Sequence, residues 1–354
     1  MIKGEKLNIV YILPPSKKPA GGPKVIYEHS DIINKLQLKN ISSEILHIKK
    51  KRTFKILNSI KKHFIHKNSY GWGTRDLKAD KNFLPSKKWI SKDIAIRKSI
   101  SFNKNYDFII IPEIMAHLAN DLCIKKNIKY AIFVMGAYAM NSTSEYQELK
   151  KSYYNAEFIL TLSDDTSKCV SHIFPELKNK ITKINLSINN HRFLSLKKKN
   201  NLITYMPRKL PTDSHILKIF LKENLPNKWK LQPLENLNEE ELNRYLCSSK
   251  IFLSFSDFEG FGLPPLEAAL AGNRVIGYTG GGGKEYWKKP LFNKIEKGDI
   301  LEFSKQILNF TKKNHNKWLK ETKNHRTKLL LKYSKEIETN SIKKMIKKIT
   351  NLIN

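Results

Sequence analysis

Two α/β domains built on parallel sheets are the architecture this sequence predicts, and three observations carry that expectation. Two apolar runs of strand formers, Ile251-Phe252-Leu253-Ser254-Phe255 and Arg274-Val275-Ile276-Gly277-Tyr278, flank a helical run, Pro264-Pro265-Leu266-Glu267-Ala268-Ala269-Leu270-Ala271. Each strand gives way to glycines: Gly260 and Gly262 after the first, Gly280 through Gly283 after the second. The 354 residues are enough for two domains, and the lysine- and asparagine-rich stretch 197–201 reads as the linker between them.

The stretch 254–285 carries the most specific chemistry. Its first strand stops at the polar turn Ser256-Asp257. The prolines suit a first helical turn, the alanines and leucines continue it, and Gly272 ends it. Such a unit puts both glycine loops at the carboxyl edge of a parallel sheet, where open α/β folds bind ligands. Glycines leave backbone N–H groups uncovered and a helix N-terminus adds partial positive charge, so the place suits a phosphate. Glu259 falls on the loop and Glu267 about one turn inside the helix. Carboxylates beside an anion site repel the ligand unless their partners are hydroxyls, as a sugar or ribose supplies. A phosphate flanked by hydroxyls describes a nucleotide sugar.

The spacing of Glu259 and Glu267, with Gly260-Phe261-Gly262-Leu263-Pro264 between them and Ala268 and Gly272 after, resembles the E-x7-E motif of family 4 glycosyltransferases of the GT-B fold. The resemblance implies two Rossmann-like domains facing each other across a cleft: an acceptor domain over 1–198, a nucleotide-sugar domain over 199–334, and a C-terminal helix, 335–354, crossing back to the first domain. It implies a hexosyl- or deoxyhexosyl-type transferase of bacterial surface polysaccharides, lipopolysaccharide or capsule. The sugar would pass from a nucleoside diphosphate sugar to a hydroxyl of a growing glycan or lipid-linked glycan, with retention and without a metal or cofactor. Glu259 would grip hydroxyls of the donor sugar and Glu267 the ribose, with Gly260, Phe261, Gly262 and Leu263 lining the donor site. No Asp-x-Asp stands ready for a divalent ion, so the charge on the leaving diphosphate falls to Arg208, Lys209, Lys284 and the glycine-loop amides.

In chain order, 7–13 reads as a first strand, followed by a Pro- and Gly-rich loop and a helix opening at Val25. Gly21 and Gly22 in that loop form a second candidate phosphate site; in the family such a loop faces the donor diphosphate and the acceptor. A strand over 41–48 precedes a basic stretch to about Lys92 that includes Tyr70-Gly71-Trp72-Gly73 and Trp89, read as an acceptor groove or as anchors of a long loop. Residues 107–113 form a buried strand ending in Glu113, which either meets a substrate hydroxyl or caps the next helix. Residues 129–134 form another, ending at Met135-Gly136-Ala137-Tyr138, so Tyr138 joins Glu113 on the acceptor side. Family members place a histidine near the end of such a strand, and this sequence has none there. A strand over 157–163 leads to a helix capped by Asp164-Asp165-Thr166, and 183–186 is the last strand before the linker. The second domain opens with the strand 202–205 and Met206-Pro207-Arg208-Lys209; with only eight arginines in the chain, a guanidinium fork at a strand end fits two diphosphate oxygens. The family carries this arginine and lysine several residues apart, whereas here they are adjacent. Residues 229–233 and a helix over 238–248 complete a βα unit, and the resemblance implies that its loop, 232–237, meets the nucleotide base. Helices over 299–313, from Lys317 onward and over 335–353 close the chain.

The apolar run 9–13 is too short for a signal peptide and no run approaches a membrane span, so a cytoplasmic location is expected, extending to the cytoplasmic face of the inner membrane. Cys123, Cys169 and Cys247 show no metal or disulfide spacing. A net charge of +33, almost all lysine, reads either as a solvated surface or as attraction to an anionic membrane through Lys49-Lys50-Lys51-Arg52 and Lys197-Lys198-Lys199. Nucleic acid is the less favoured partner: a basic RNA-binding protein explains the charge and leaves the paired glutamates unexplained. A GT-B isomerase or phosphorylase stays open as the alternative enzyme.

Overall fold

A computed structural model describes residues 6–16, 21–50, 77–83, 94–142, 145–188 and 199–353. The expectations at Tyr70 to Gly73, at Trp89, at Lys51 and Arg52, and at Lys197 and Lys198 lie outside these residues. By contacts the chain forms two compact units, one of residues 1–184 with 339–354, the other of 185–338.

The first unit is a seven-stranded sheet ordered β3-β2-β1-β4-β5-β6-β7. Its strands are β1 (Leu7–Leu13), β2 (Ile41–Lys50), β3 (Leu77–Ala79), β4 (Asp107–Pro112), β5 (Tyr130–Val134), β6 (Phe158–Thr161) and β7 (Ile181–Lys183). All pairings are parallel except β2 with β3. Every residue of β4 and β5 is buried, which is why both read as unbroken apolar runs rather than alternating ones. At the amino end of β4 the buried Asp107 takes two hydrogen bonds from the Arg97 guanidinium, at 3.1 and 2.7 Å, and Arg97 reaches Glu44 of β2 at 3.0 Å. That network ties the segment before β4 to the sheet.

Helix α1 (Gly21–Lys35) buries Val25, Ile26, Ile32 and Ile33. It starts at Gly21, four residues before the expected start, so the glycine pair forms its first turn. Helix α2 (Tyr146–Tyr154) precedes β6, and α3 (Asp164–Ile173) follows it. The cap of α3 is Ser163, whose hydroxyl accepts from the Thr166 amide at 3.1 Å; Asp164 and Asp165 sit inside the first turn. The last strand of the sheet covers 181–183 and not 183–186, because Ile181 to Lys183 pair with Ile159 to Thr161.

The second unit is a five-stranded parallel sheet ordered β12-β11-β10-β8-β9. Its elements are β8 (Asn200–Tyr205), α4 (Pro211–Leu221), β9 (Lys230–Pro233), α5 (Glu239–Ser248), β10 (Ser249–Glu259), α6 (Leu263–Leu270), β11 (Arg274–Gly281), β12 (Phe292–Lys294), α7 (Ile300–Thr311), α8 (His315–Glu321) and α9 (Lys323–Lys332). Asn238 caps α5 in a reciprocal box with Glu241, each bond 2.9 Å. Helix α10 (Lys335–Ile353) belongs to the first unit from Thr339 onward, where Ile342, Met345, Ile346 and Ile349 are buried. Its Lys348 donates to the Thr182 hydroxyl at 3.1 Å.

Two lysines expected in solvated basic runs are engaged. Lys49 pairs with Asp80 at 2.6 Å. Lys199 is buried, and its ammonium donates to the carbonyls of Leu246, Cys247 and Ser249 at 3.1, 3.0 and 2.7 Å. It satisfies carbonyls at the end of α5, where the helix dipole favours a cation. Burial draws its pKa down to about 7. Lys199→Met would take this donor from the carbonyls of Cys247 and Ser249, while Leu246 keeps the Asn273 amide, so unfolding at pH 6 should show a stability loss of about 1–2 kcal/mol; an unchanged transition would mean that the ammonium only offsets its own burial.

Candidate active site

In each sheet the strand order reverses once between neighbours that run in the same direction, and such a reversal opens a crevice at the carboxyl ends of the strands. In the first unit this point lies between β1 and β4, and in the second between β8 and β10. Gly21, Gly22 and Glu113 stand at the first point and Arg208, Lys209 and Glu259 at the second, while Tyr138 and Lys284 follow the next strand out in their sheets.

In the first unit Gly21 and Gly22 stand in the first turn of α1, after β1. A Cβ on Gly21 would meet nothing within 4 Å, whereas one on Gly22 would touch the Met135 side chain at 3.2 Å. Glu113 follows β4 and is only 4% exposed; its carboxylate accepts from the amides of Gly136 at 3.0 Å and Met135 at 3.2 Å. It therefore fastens the segment after β5, and it also takes its own amide in the first turn of the 3-10 helix that follows. Burial raises its pKa to about 7, with the backbone amides of Met135, of Glu113 itself and of Gly136 pulling the other way. Tyr138, in the turn after β5, donates its hydroxyl to Asp165 at 2.8 Å.

In the second unit β8 ends at Tyr205, and Arg208 and Lys209 follow on an exposed turn. Across the reversal, β10 runs on to Glu259, past the polar Ser256-Asp257 where a turn is expected. The strand absorbs these residues through a bulge: Ser256 pairs with Thr279 and Glu259 with Gly281, three steps against two. Phe258, inside the bulge, has φ 47° and is 67% exposed, and the Lys297 ammonium lies 5.4 Å from its ring centroid. For an aromatic residue this left-handed backbone costs about 1–2 kcal/mol. The bulge brings Glu259 to the end of the strand, where its carboxylate meets Lys209 at 2.5 Å. Both partners are part-exposed, so the pair is worth about 1 kcal/mol or less and opens readily. Arg208 has no hydrogen-bond or ion-pair partner among the described residues.

Gly262, at φ 81°, caps α6 without a side chain. Pro264 and Pro265 have no N–H, so the open donors at this helix start are the amides of Gly262 and Leu263. The helix brings Glu267 one turn on. The glycine run is half strand and half turn: β11 continues through Gly281, and 282–285 form a 3-10 turn carrying the exposed Lys284. The two glycine segments touch. A Cβ on Gly282 would lie 2.0 Å from the Gly260 carbonyl oxygen, and one on Gly280 would lie 3.0 Å from the Glu259 side chain.

Sequence reading missed Tyr286, which joins these loops. It is 3% exposed, its hydroxyl donates to the Gly262 carbonyl, and its ring packs on Phe261 and Tyr333. Burial holds the phenol neutral, and the neighbouring Tyr333, Glu259, Glu285 and Glu267 push the same way. Its place three residues after the glycine run was the available signal.

No protein-family model matches the chain, and no curated protein matches it by sequence. Solved structures do match along nearly its whole length. Sucrose-phosphate synthase from Thermosynechococcus elongatus superposes with a TM-score of 0.64 at 10% identity, covering 98% of this chain and 100% of that one. The fold is GT-B. The GT-B likeness extends to S. aureus TarM, in complex with UDP and alpha-GlcNAc-glycerol, at a TM-score of 0.64 and 12% identity over 98% of this chain and 100% of that one. It extends also to the lipopolysaccharide outer core galactosyltransferase WaaB, at 0.60 and 13% identity over 96% and 99%.

The contact between the glycine segments makes a direct prediction. Gly282→Ala should lower the melting temperature by about 5 °C or more, because its Cβ has no space. Gly21→Ala, which meets nothing, should leave it within about 2 °C. Equal melting temperatures for the two variants would contradict the close approach.

Proposed function

We propose that this GT-B chain is a glycosyltransferase of the family 4 type. It transfers a hexosyl or deoxyhexosyl group from a nucleoside diphosphate sugar to a hydroxyl of a growing glycan or lipid-linked glycan, in cell-surface polysaccharide synthesis. The observation that carries this reading is the arrangement after β8 and β10, where Lys209 meets Glu259 and the Gly260 to Leu263 turn leads to Glu267 one helical turn on. Cations, bare amides and two carboxylates are the groups that a diphosphate flanked by hydroxyls needs.

The leaving nucleoside diphosphate gathers negative charge on its bridging oxygen as the glycosidic bond breaks. Donors already aimed at that oxygen lower the barrier because they need not reorganise. Arg208 and Lys209 supply this charge together with Lys284 and the Gly262 and Leu263 amides, and in this reading no divalent ion is required. Glu259 holds hydroxyls of the donor sugar and Glu267 the ribose. Transfer with retention needs no residue to activate a nucleophile from the opposite face. UDP in the TarM structure, together with the shared fold, makes uracil the first base to test.

Calorimetric titration with UDP, GDP, CDP and TDP tests the reading, with micromolar UDP binding expected; no binding by any of the four would overturn it. Glu267→Ala should weaken UDP binding about tenfold or more through loss of charge-assisted bonds to ribose. Glu259→Gln should bind UDP as well as the parent or better, since Lys209 is released from its pair, yet should lose transfer. An active Glu259→Gln enzyme would remove Glu259 from its assigned role.

A further inference from the structure

Three neighbouring strands of the first unit are tied together at their carboxyl ends through one carboxylate. β4 lies between β1 and β5 in the sheet, and Glu113 follows it. Its two oxygens are divided between consecutive amides directly after β5: Oε2 accepts from Met135 at 3.2 Å and Oε1 from Gly136 at 3.0 Å. The Met135 side chain then reaches α1, since a Cβ on Gly22 would lie 3.2 Å from its Cε and 3.4 Å from its Sδ. Two residues past Gly136, Tyr138 donates its hydroxyl to Asp165 in the first turn of α3. No cation among the described residues acts on Glu113, so this buried charge is held by amides alone. A neutral glutamine would avoid the cost of burying charge. It has only one acceptor oxygen, however, and its NH2 would stand donor against donor to the second amide. Only the ionised carboxylate serves both.

We propose that Glu113 is a positioning residue of the first unit: its ionised carboxylate seats residues 135 and 136 so that the Met135 side chain closes on the Gly21–Gly22 turn of α1, and protonation unseats it. Burial raises the Glu113 pKa to about 7, so the seat is complete above that value and is lost as pH falls through it. Stability runs the other way. A carboxyl whose pKa is raised by folding contributes most below the ordinary carboxylate range, and that contribution is lost as pH rises to about 7. The titratable groups on the elements packed around Glu113 are otherwise engaged. Tyr153 of α2 feels the Glu113 charge and is kept neutral by burial. His117, in the same 3-10 turn, is held below the usual histidine range by burial, against the pull of Glu148. Asp121, on the short helix that follows, pairs with Lys125, and Tyr130 donates to the Ser152 carbonyl at 2.6 Å. Tyr138 answers to Asp165 and Cys169. The inference concerns the first unit alone and does not depend on the sugar-transfer reading; within that reading Met135 is the apolar wall that an acceptor meets after β5.

The test is NMR of the whole chain labelled with 13C at the methyl groups of its six methionines, with Met135 assigned by Met135→Leu. The Met135 methyl resonance should move between about pH 6 and 8 with a midpoint near 7 in the parent, and should keep its low-pH position throughout in Glu113→Gln. For a pKa near 7 the ionised fraction rises from about one tenth at pH 6 to about nine tenths at pH 8. Gly22→Ala puts a Cβ against the seated methyl, so the resonance shift it causes should be several-fold larger at the higher pH than at the lower, and small at both in the Glu113→Gln background. The two-pH comparison keeps Glu113 in place, so it decides the matter even if Glu113→Gln fails to fold. The proposal is overturned if the parent methyl does not titrate, or if it titrates equally in Glu113→Gln, which would assign the change to another group. It is equally overturned if Gly22→Ala shifts the resonance by the same amount at both pH values, since Met135 would then hold its place without the carboxylate.

Discussion

The approach of Gly282 to the Gly260 carbonyl governs the geometry of the second unit's site. Two chain segments that leave neighbouring strands β10 and β11 come so close that no Cβ fits between them. This contact fixes where the Gly260 to Leu263 turn lies, and thus where α6 begins and where Glu267 points. The Tyr286 hydroxyl closes the same joint from beneath by holding the Gly262 carbonyl. A preorganised site requires its supporting shell to be stiffer than its ligand contacts, and here glycines supply the closeness while a buried aromatic cluster supplies the stiffness.

The same sheet separates two tasks between its ends. At the carboxyl edge, cations and open amides face solvent around Glu259. At the amino edge, cations are used up inside the protein: Lys199 holds carbonyls at the end of α5, and the Arg274 guanidinium lies 4.5 Å from the ring centroids of both Phe310 and Trp318. Helix C-termini point to that edge, so positive charge is stabilised there by dipoles rather than by carboxylates. A high net charge therefore says little until each lysine is placed. Some of it neutralises the backbone, some sits at the candidate site, and some lies on the surface beside α4.

Most of the fold was legible because parallel strands buried on both faces leave unbroken apolar runs, as in β1, β4 and β5. The errors arose where local chemistry and tertiary context disagree. Ser256 and Asp257 have turn-forming side chains, yet pairing with β11 and a bulge at Phe258 keep them in the strand. Gly21 and Gly22 read as a loop, yet they start α1, where bare amides remain available in either case. Short edge strands β3 and β12 have too few residues to show a period. At the site, Glu259, Glu267 and the glycines were visible as a spaced pattern. Tyr286 was not, because its importance lies in a hydrogen bond to a carbonyl 24 positions earlier in the chain. The pairing of Lys209 with Glu259 was equally hidden, since 50 residues separate them and only the strand order makes them neighbours.

That ion pair has a thermodynamic consequence. An anion that draws Lys209 away leaves the Glu259 carboxylate with an unmet demand for donors, which hydroxyls near the anion can fill. Hydroxyls that engage Glu259 in turn loosen its hold on Lys209. The two events are linked and, by the reciprocity of binding free energies, each favours the other by the same factor. A molecule presenting an anion and hydroxyls together is thus favoured over either group offered separately. The discrimination comes from one contact that both groups must break together.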